Sequence, residues 1–192
     1  MIRRKDNCIL IVTSSSGGME YFSRHIPPDV ETEFAKSASA ARRKLAEKEY
    51  DVVVINFPLS DELGDELSEE ICEKTSSGVV ALIKSEVFSE LSQRLTEYGV
   101  FCVSKPTSSY VFEQAIMLAK ASGKRIKLFA KKSDTLREKM EEVKLVSRAK
   151  LALMEIEGMT EEEAHKKIER DAMKNCVKKR VIAEEIIEKY KK

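Results

Sequence analysis

Residues 51–64, "DVVVINFPLSDELG", show most clearly which fold the chain adopts. Four consecutive aliphatic residues lead into Asn56, and the loop that follows contains Pro58 and ends at Gly64. A short, continuously apolar run is typical of a strand buried on both faces of a parallel sheet. Such a strand presents a polar side chain at its carboxyl end, where α/β sheets bind ligands. The pattern therefore predicts an α/β protein with a functional position at Asn56.

Four other segments have the character of strands, and helical patterns fill the spaces between the five. The predicted strands are residues 8–13, 31–34, 52–55, 79–83 and 100–103, and helical periodicity is clearest over 37–48, 63–74, 86–98 and 110–121. Regular alternation of strand and helix predicts a doubly wound parallel sheet of five strands.

Composition limits the class of protein. The chain has 192 residues, 42% of them hydrophobic, which allows one core with an appendage or two small domains. Its apolar runs are too short to cross a bilayer and no signal-like leader opens it, so we expect a cytoplasmic protein with no membrane partner. Three of the four cysteines lie in apolar strand or helix contexts and none forms a CxxC pair, so we predict no disulfide, metal site or cofactor.

Charge is distributed unevenly along the chain. Residues 1–121 carry a net −5 and residues 122–192 a net +6, which together give the overall +1. An acidic N-terminal part and a basic C-terminal part predict different partners for the two, and any polyanion is expected to bind the C-terminal part.

From about Lys124 the strand signals stop and a helix with an apolar seam begins. The seam repeats at intervals of three and four residues for about two and a half heptads, fewer than a confident coiled-coil assignment needs. An amphipathic helix packed on its own domain is the alternative. Because the other faces are almost fully charged, we predict a dimerisation helix over residues 122–146, with the seam residues Ile126, Phe129, Leu136, Met140 and Val143.

The tail is predicted to contain further helices. Gly158 suits a left-handed helix end, and Thr160 with Glu163 forms the pattern of a capping box. Ala164, Ile168 and Ala172 are expected to face inward from the helix that follows. A last helix is expected over 178–189, and we predict buried positions at Val181, Ile182, Ile186, Ile187, Met154 and Met173.

The first domain, residues 1–121, resembles the receiver domain of response regulators, a flavodoxin-like fold. At the positions where receivers carry an acidic pair, this sequence has Thr13 and Ser14, and Asn56 stands at the phosphoacceptor aspartate. Lys84 or Ser85 takes the Thr/Ser position, and only Lys105-Pro106 is as expected.

Without these acids the pocket should neither hold Mg²⁺ nor form an acyl phosphate. We therefore predict a pseudo-receiver in which Lys105 donates a hydrogen bond to the Asn56 carbonyl oxygen. Phosphorylation of Asp61 or Asp65 is a disfavoured alternative, because both lie in the loop after the strand.

Residues 147–187, within the predicted last domain of residues 147–192, resemble the ANTAR domain, an RNA-binding output module of transcription antiterminators. The motifs that carry the resemblance are "AKLALM" (149–154), "GMTEEEAHKKI" (158–168), "AMKN" (172–175) and "KKRVIAEEI" (178–186). They occur in the family's order and at ungapped spacing, although His165 stands where an aromatic residue is usual and Lys179 where a leucine is usual. The resemblance implies a three-helix RNA-binding unit after the long helix.

Basic residues recur every four positions from Lys166 to Lys178, a spacing that places the first three on one helical face. Such a footprint suits nucleic-acid phosphates, although a solvated charged helix is the commoner origin of such a run. Asn175 is expected to read a base edge and His165 to stack on an unpaired base. The predicted RNA-binding residues are Lys150, His165, Lys166, Lys167, Arg170, Lys174, Asn175, Lys178, Lys179 and Arg180.

These patterns predict a non-enzymatic regulator that binds RNA stem-loops in nascent transcripts and causes antitermination. A homodimer and a regulatory partner protein are the expected protein contacts. Two alternatives remain open: a DNA-binding response regulator with a recognition helix in the major groove, and a protein-interaction module that binds no nucleic acid.

Overall fold

The computed structural model describes residues 8–190, so the extreme ends of the predicted first and last domains, 1–7 and 191–192, lie outside the described residues. The elements are β1 (Cys8–Val12), α1 (Ser16–His25), β2 (Glu31–Ala35), α2 (Ala38–Glu47), β3 (Val52–Asn56), α3 (Asp65–Lys74), β4 (Gly78–Lys84), α4 (Ser85–Glu97), β5 (Phe101–Lys105), α5 (Ser109–Glu157), α6 (Glu161–Lys174) and α7 (Lys179–Lys189). The chain divides into two compact units, one ending at Leu128 and the other beginning at Phe129.

The first unit contains the predicted sheet. Its five strands are all parallel, in the order β2-β1-β3-β4-β5, so the prediction of a doubly wound sheet is confirmed. In this order β2 lies on one side of β1 and β3 lies on the other. Since Val12 pairs with Ile55, the residues that follow them, Thr13 and Asn56, meet at the carboxyl edge of the sheet. This is the switch point at which such sheets bind ligands.

Helices cover both faces of the sheet. Phe22 of α1 and Phe112 of α5 pack on one face with Ile11 and Val54. Residues of α2, α3 and α4 pack on the other face, where Leu67 lies against the strands. Because both faces are covered, the strands are almost continuously buried, which explains their uninterrupted apolar sequences.

Helix α5 is longer than the sequence suggests. We predicted a helix over 110–121 and a separate helical segment from about Lys124, but α5 is uninterrupted over 49 residues. Gly123, which looks like a break, lies where the helix backbone approaches the sheet, and a Cβ added there would be 2.7 Å from the Ser76 carbonyl oxygen. A Cβ on Gly78 would be 2.0 Å from the Ala119 carbonyl oxygen. Both glycines therefore permit close packing of helix on sheet.

The second unit has its own small core. The last turns of α5 supply Ala149 and Leu153, and the predicted stripe Ala164, Ile168 and Ala172 of α6 packs against them. Helix α7 adds Ile182, Ala183 and Ile186, with Ile187 half-buried.

Two predicted core positions in the second unit are wrong. Val181 is 38% exposed, because Ile182 and Ala183 take the inward positions on this turn of α7. Met173 is 80% exposed, because Ala172 takes the inner position of that turn of α6, whereas Met154 packs against the core as expected. Among residues 8–190, no helix is apolar over a length that could cross a membrane.

Candidate nucleic-acid interface and strand-end pocket

Three side chains at the strand ends are joined by a chain of hydrogen bonds. Lys105, at the end of β5, donates to the Asn56 side-chain oxygen over 2.6 Å and to the Phe57 carbonyl oxygen, also over 2.6 Å. Asn56 in turn donates from its amide nitrogen to the Thr13 hydroxyl over 3.0 Å. Thr13 is fully buried. The predicted bond between Lys105 and Asn56 is therefore present, and the amide holds the position at which receivers place an aspartate.

The ammonium of Lys105 is partly buried among neutral groups. Burial lowers its pKa, and the nearby Lys84 ammonium lowers the pKa further. A desolvated cation ordinarily has an anionic partner. Within residues 8–190, Lys105 makes no ion pair, which gives the pocket positive character.

The other predicted pocket residues are less central. Ser14 is exposed, and it is the next residue, Ser15, that caps α1 by accepting from the Gly18 amide over 3.0 Å. Ser85 donates to the Lys105 carbonyl oxygen over 2.6 Å. Lys84, the last residue of β4, is exposed.

The two loop aspartates have structural partners. Asp61 accepts hydrogen bonds from the amides of Ala38 and Ser39 at the start of α2, over 2.8 and 3.0 Å. These bonds lower the pKa of Asp61 to about 2. Asp65 accepts a hydrogen bond from Arg94. Both carboxylates are thus engaged in contacts other than those of the strand-end pocket.

A cavity of about 320 Å³ opens beside these strand ends. Asn56 and Lys105 line it, and Tyr21, Phe22 and Leu82 provide aromatic and aliphatic walls. The remaining lining residues are Ser15, Gly18, Pro106 and Thr107. Sequence reasoning missed Tyr21, because nothing in the pattern of α1 distinguishes it from a packing residue.

The start of α6 has the predicted geometry. The Thr160 hydroxyl accepts from the Glu163 amide over 3.3 Å, and Glu163 accepts from the Thr160 amide over 2.9 Å, which completes the capping box. Gly158 has a φ of 67°, as expected of a left-handed helix end. These signals place the basic residues of α6 on a well-defined helix.

Many predicted RNA-binding cations have acidic partners on neighbouring turns or helices. Lys150 pairs with Glu161 over 2.6 Å, and Lys167 pairs with Glu157 over 2.5 Å. His165 lies 3.3 Å from Glu169. The other pairs are Lys166 with Glu162, Lys179 with Glu169, and Arg180 with Glu184. The positive charge of these side chains is partly neutralised within the unit.

Three cations stand apart from these pairs. Arg170 is 75% exposed and approaches only its neighbour Asp171, at 3.9 Å. Lys174 and Lys178 are exposed and have no ion pair within the part of the chain that the structure describes. Asn175, the C-cap of α6, and Met173 are exposed beside them. We call Arg170, Lys174 and Lys178 the open cations.

The predicted dimer seam is also exposed. Leu136, Met140 and Val143 are 60%, 55% and 65% exposed, and Ile126 and Phe129 are 46% and 58% exposed. The seam is therefore available to a partner helix.

Comparison with protein families identifies the tail. Residues 134–187 match the ANTAR domain model, and this segment contains the capping box, the open cations and the core of the second unit. No match is found among curated proteins. The chain therefore carries an ANTAR domain.

Solved structures resemble the first unit. The signal receiver domain of an HD domain-containing protein from Pseudomonas fluorescens Pf-5 aligns with a TM-score of 0.59 and 21% identity, over 66% of this chain and 96% of that one. A CheY-like response regulator receiver domain from Methanospirillum hungatei JF-1 aligns with 0.55 and 17%, over 62% and 97%. An adenylate cyclase structure from Rhodopirellula baltica aligns with 0.59 and 16%, over 68% and 97%. These similarities establish a receiver fold.

Proposed function

We propose that this chain, which joins a receiver fold to an ANTAR domain, is an RNA-binding regulator that acts by transcription antitermination. The observation that carries the proposal is the ANTAR match over residues 134–187, which contains the three open cations. Exposed cations without fixed partners bind phosphates at little cost, because no existing ion pair has to be broken.

The mechanism is differential binding. A nascent transcript has two competing folds, one of which is the terminator hairpin. The protein shifts the balance only by the difference in its affinity for the two folds. Asn175 and His165 are suited to unpaired loop bases, by base-edge hydrogen bonding and by stacking. The open cations and the paired lysines around them contact the phosphates of the RNA backbone.

Two copies acting together would strengthen this selection. We propose that residues 122–146 pair through the seam, so that a homodimer presents two ANTAR domains of residues 147–192 to two stem-loops. Binding of the second loop is then intramolecular and gains in effective concentration. Leu136, Met140 and Val143 support pairing, because apolar side chains at coiled-coil spacing are exposed in the single chain.

The first domain, residues 1–121, is proposed to be a pseudo-receiver that is not phosphorylated at the usual position. An amide nitrogen at Asn56 is not the carboxylate nucleophile that forms an acyl phosphate. The neutral hydroxyls of Thr13 and Ser14 are poor ligands for Mg²⁺. Control would then come through a partner protein, a ligand or protein abundance.

The experiment compares a two-hairpin RNA library with duplex DNA, using the purified full-length protein at several salt concentrations. We expect selective binding of hairpins, with affinity falling steeply as salt rises, because each phosphate contact contributes about 0.7 to 0.9 to the logarithmic slope. Preference for duplex DNA would support a DNA-binding regulator instead. Absence of any binding at moderate salt would leave a protein-interaction module.

A further inference from the structure

The strand-end cavity contains a cation without a counter-charge. An ammonium group has three hydrogen-bond donors, and Lys105 uses two of them on Asn56 and on the Phe57 carbonyl oxygen. None of the residues that line the cavity is acidic. The third N–H of Lys105 therefore has no acceptor among the described residues.

A second donor is fixed by the same contacts. Because Lys105 only donates, the oxygen of the Asn56 amide must face it, and the amide nitrogen must face the other way. One N–H of that nitrogen bonds Thr13. The other N–H remains, on a side chain that lines the cavity.

Tyr21 forms part of the wall of the same cavity. Its hydroxyl oxygen is buried, with no hydrogen-bond partner among residues 8–190, so this oxygen does not border the open volume. The ring is held in place by stacking on His25, with centroids 4.2 Å apart, and by an edge contact with Phe22. Tyr21 lines the same cavity as Lys105 and Asn56.

The rest of the cavity is apolar. Phe22 and Leu82 are each only 2% exposed, and Pro106 completes the wall. The volume of about 320 Å³ lies at the lower end of the range for small-molecule sites. It suits a ligand of about ten non-hydrogen atoms, since one water takes about 30 Å³ in the liquid.

We propose that this cavity is a binding site for a small organic anion that has a carboxylate or phosphate head and an aromatic or aliphatic body. The anionic oxygens accept from Lys105 and from the free N–H of Asn56. The apolar body packs on Phe22, Leu82 and Pro106. Loss of the receiver acids thus converts a cation-binding position into an anion-binding one. The burial that lowers the Lys105 pKa acts in the same direction, because an unpaired buried cation gains most from an anion.

The test measures binding of five probes to the full-length protein by NMR titration without RNA. The probes are phenylacetate, phenyl phosphate, acetate, inorganic phosphate and benzyl alcohol. We expect one of the two aromatic anions to bind with a Kd on the order of 1 mM or tighter, and acetate, inorganic phosphate and benzyl alcohol to bind more weakly. The stronger of the two aromatic anions identifies the head group as carboxylate or phosphate.

Lys105→Gln tests the contact with the anion. It removes the ammonium, so affinity for the preferred anion should fall by about tenfold or more, the value of a hydrogen bond to a charged group. Lys36→Gln is the matched control, because it removes the same charge from an exposed residue that does not line the cavity, and its affinity should stay within about threefold of wild type. Both variants should keep the wild-type circular dichroism spectrum.

Three results would overturn the proposal. They are no binding of either aromatic anion at about ten times the expected Kd, equal binding of benzyl alcohol and the anions, or an affinity that Lys105→Gln leaves unchanged. Each is measured without RNA, so the outcome is independent of the proposed antitermination activity.

Discussion

Positively charged side chains have opposite surroundings in the strand-end pocket and in the ANTAR domain. Lys105 reaches from the end of β5 to the end of β3, where two neutral oxygens accept from it at 2.6 Å. Arg170 and Lys174 lie on the surface of α6, without a close partner on another element of the described chain. A desolvated cation has to be fixed by its surroundings, whereas a hydrated one needs no fixed partner and remains available to a polyanion. The pocket therefore suits one small ligand, and the exposed face suits an extended one.

Gly78→Ala should have the largest effect on the stability of the first unit. The added Cβ would lie 2.0 Å from the Ala119 carbonyl oxygen, a backbone atom that moves only if α5 leaves the sheet. We expect the free energy of unfolding to fall by about 3 kcal/mol, as in other overpacked cores. Urea denaturation measures the change.

Gly17→Ala is the control for that substitution. No atom lies within 4 Å of a Cβ at this position in α1, so stability should change by less than about 1 kcal/mol, in the stabilising direction. Equal losses in the two variants would show that close packing is not the reason for Gly78.

Dimerisation should depend on the exposed seam of α5. Leu136→Glu combined with Met140→Glu removes two apolar side chains from each protomer, four in the dimer, each worth about 2 kcal/mol when buried, so association should weaken by more than about a thousandfold. Sedimentation equilibrium measures the Kd. Thr135→Glu, on the same helix outside the seam, should leave the Kd within about threefold. A monomeric wild-type protein at high concentration would contradict the proposed pairing.

Asn56→Asp tests the pocket by restoring one acid. The new carboxylate would pair with Lys105 and accept from Thr13, and we expect the free energy of unfolding near neutral pH to rise by about 1 kcal/mol. Incubation with acetyl phosphate and Mg²⁺ should still add no phosphoryl group, because Thr13 and Ser14 do not hold the metal ion. Mass spectrometry detects the phosphoryl adduct. Its appearance would show that the remaining pocket supports phosphorylation.

The pH dependence of the pocket has a defined sign. The folded pKa of Lys105 lies below its ordinary value, so the unfolded chain binds more protons between the two values. The contribution of Lys105 to stability therefore rises with pH up to about 10.4, the ordinary lysine pKa. Asn56→Asp should remove or reverse this rise, which denaturation at a series of alkaline pH values measures. An identical pH profile in both proteins would contradict the assignment to Lys105.

Met173→Ala should have the smallest effect. Because Met173 is 80% exposed, its truncation should change stability by less than about 0.5 kcal/mol. Ile168→Ala, one turn earlier and fully buried, should cost about 3 kcal/mol. If RNA affinity falls in Met173→Ala without loss of stability, this side chain is part of the binding face.

Much of the fold was predictable because the signals are local. The strands follow from uninterrupted apolar runs such as that of β3, and the start of α6 follows from Thr160 and Glu163. The continuity of α5 was not predictable, since Gly123 looks like a break until its approach to Ser76 is seen. The exposure of Met173 depends on which side of α6 meets the core, and that is decided by tertiary packing.

The candidate sites were predictable to different depths. The bond between Lys105 and Asn56 follows from their positions in the receiver pattern. The open cations differ from their paired neighbours only through contacts between turns and helices, such as that of Lys150 with Glu161. The unpartnered hydroxyl of Tyr21 has no sequence signal, because its burial depends on tertiary packing.

Charge reversal at two of the open cations tests the central proposal most directly. Arg170→Glu with Lys174→Glu is compared with Lys131→Glu with Lys132→Glu, which changes the net charge equally but lies before the matched segment 134–187. We predict that the first pair weakens binding to a two-hairpin RNA by about a hundredfold or more and flattens the salt dependence, while both variants keep the wild-type circular dichroism spectrum. The second pair should bind within about threefold of wild type. Equal affinity of the two variants, both folded, would contradict RNA recognition by this face.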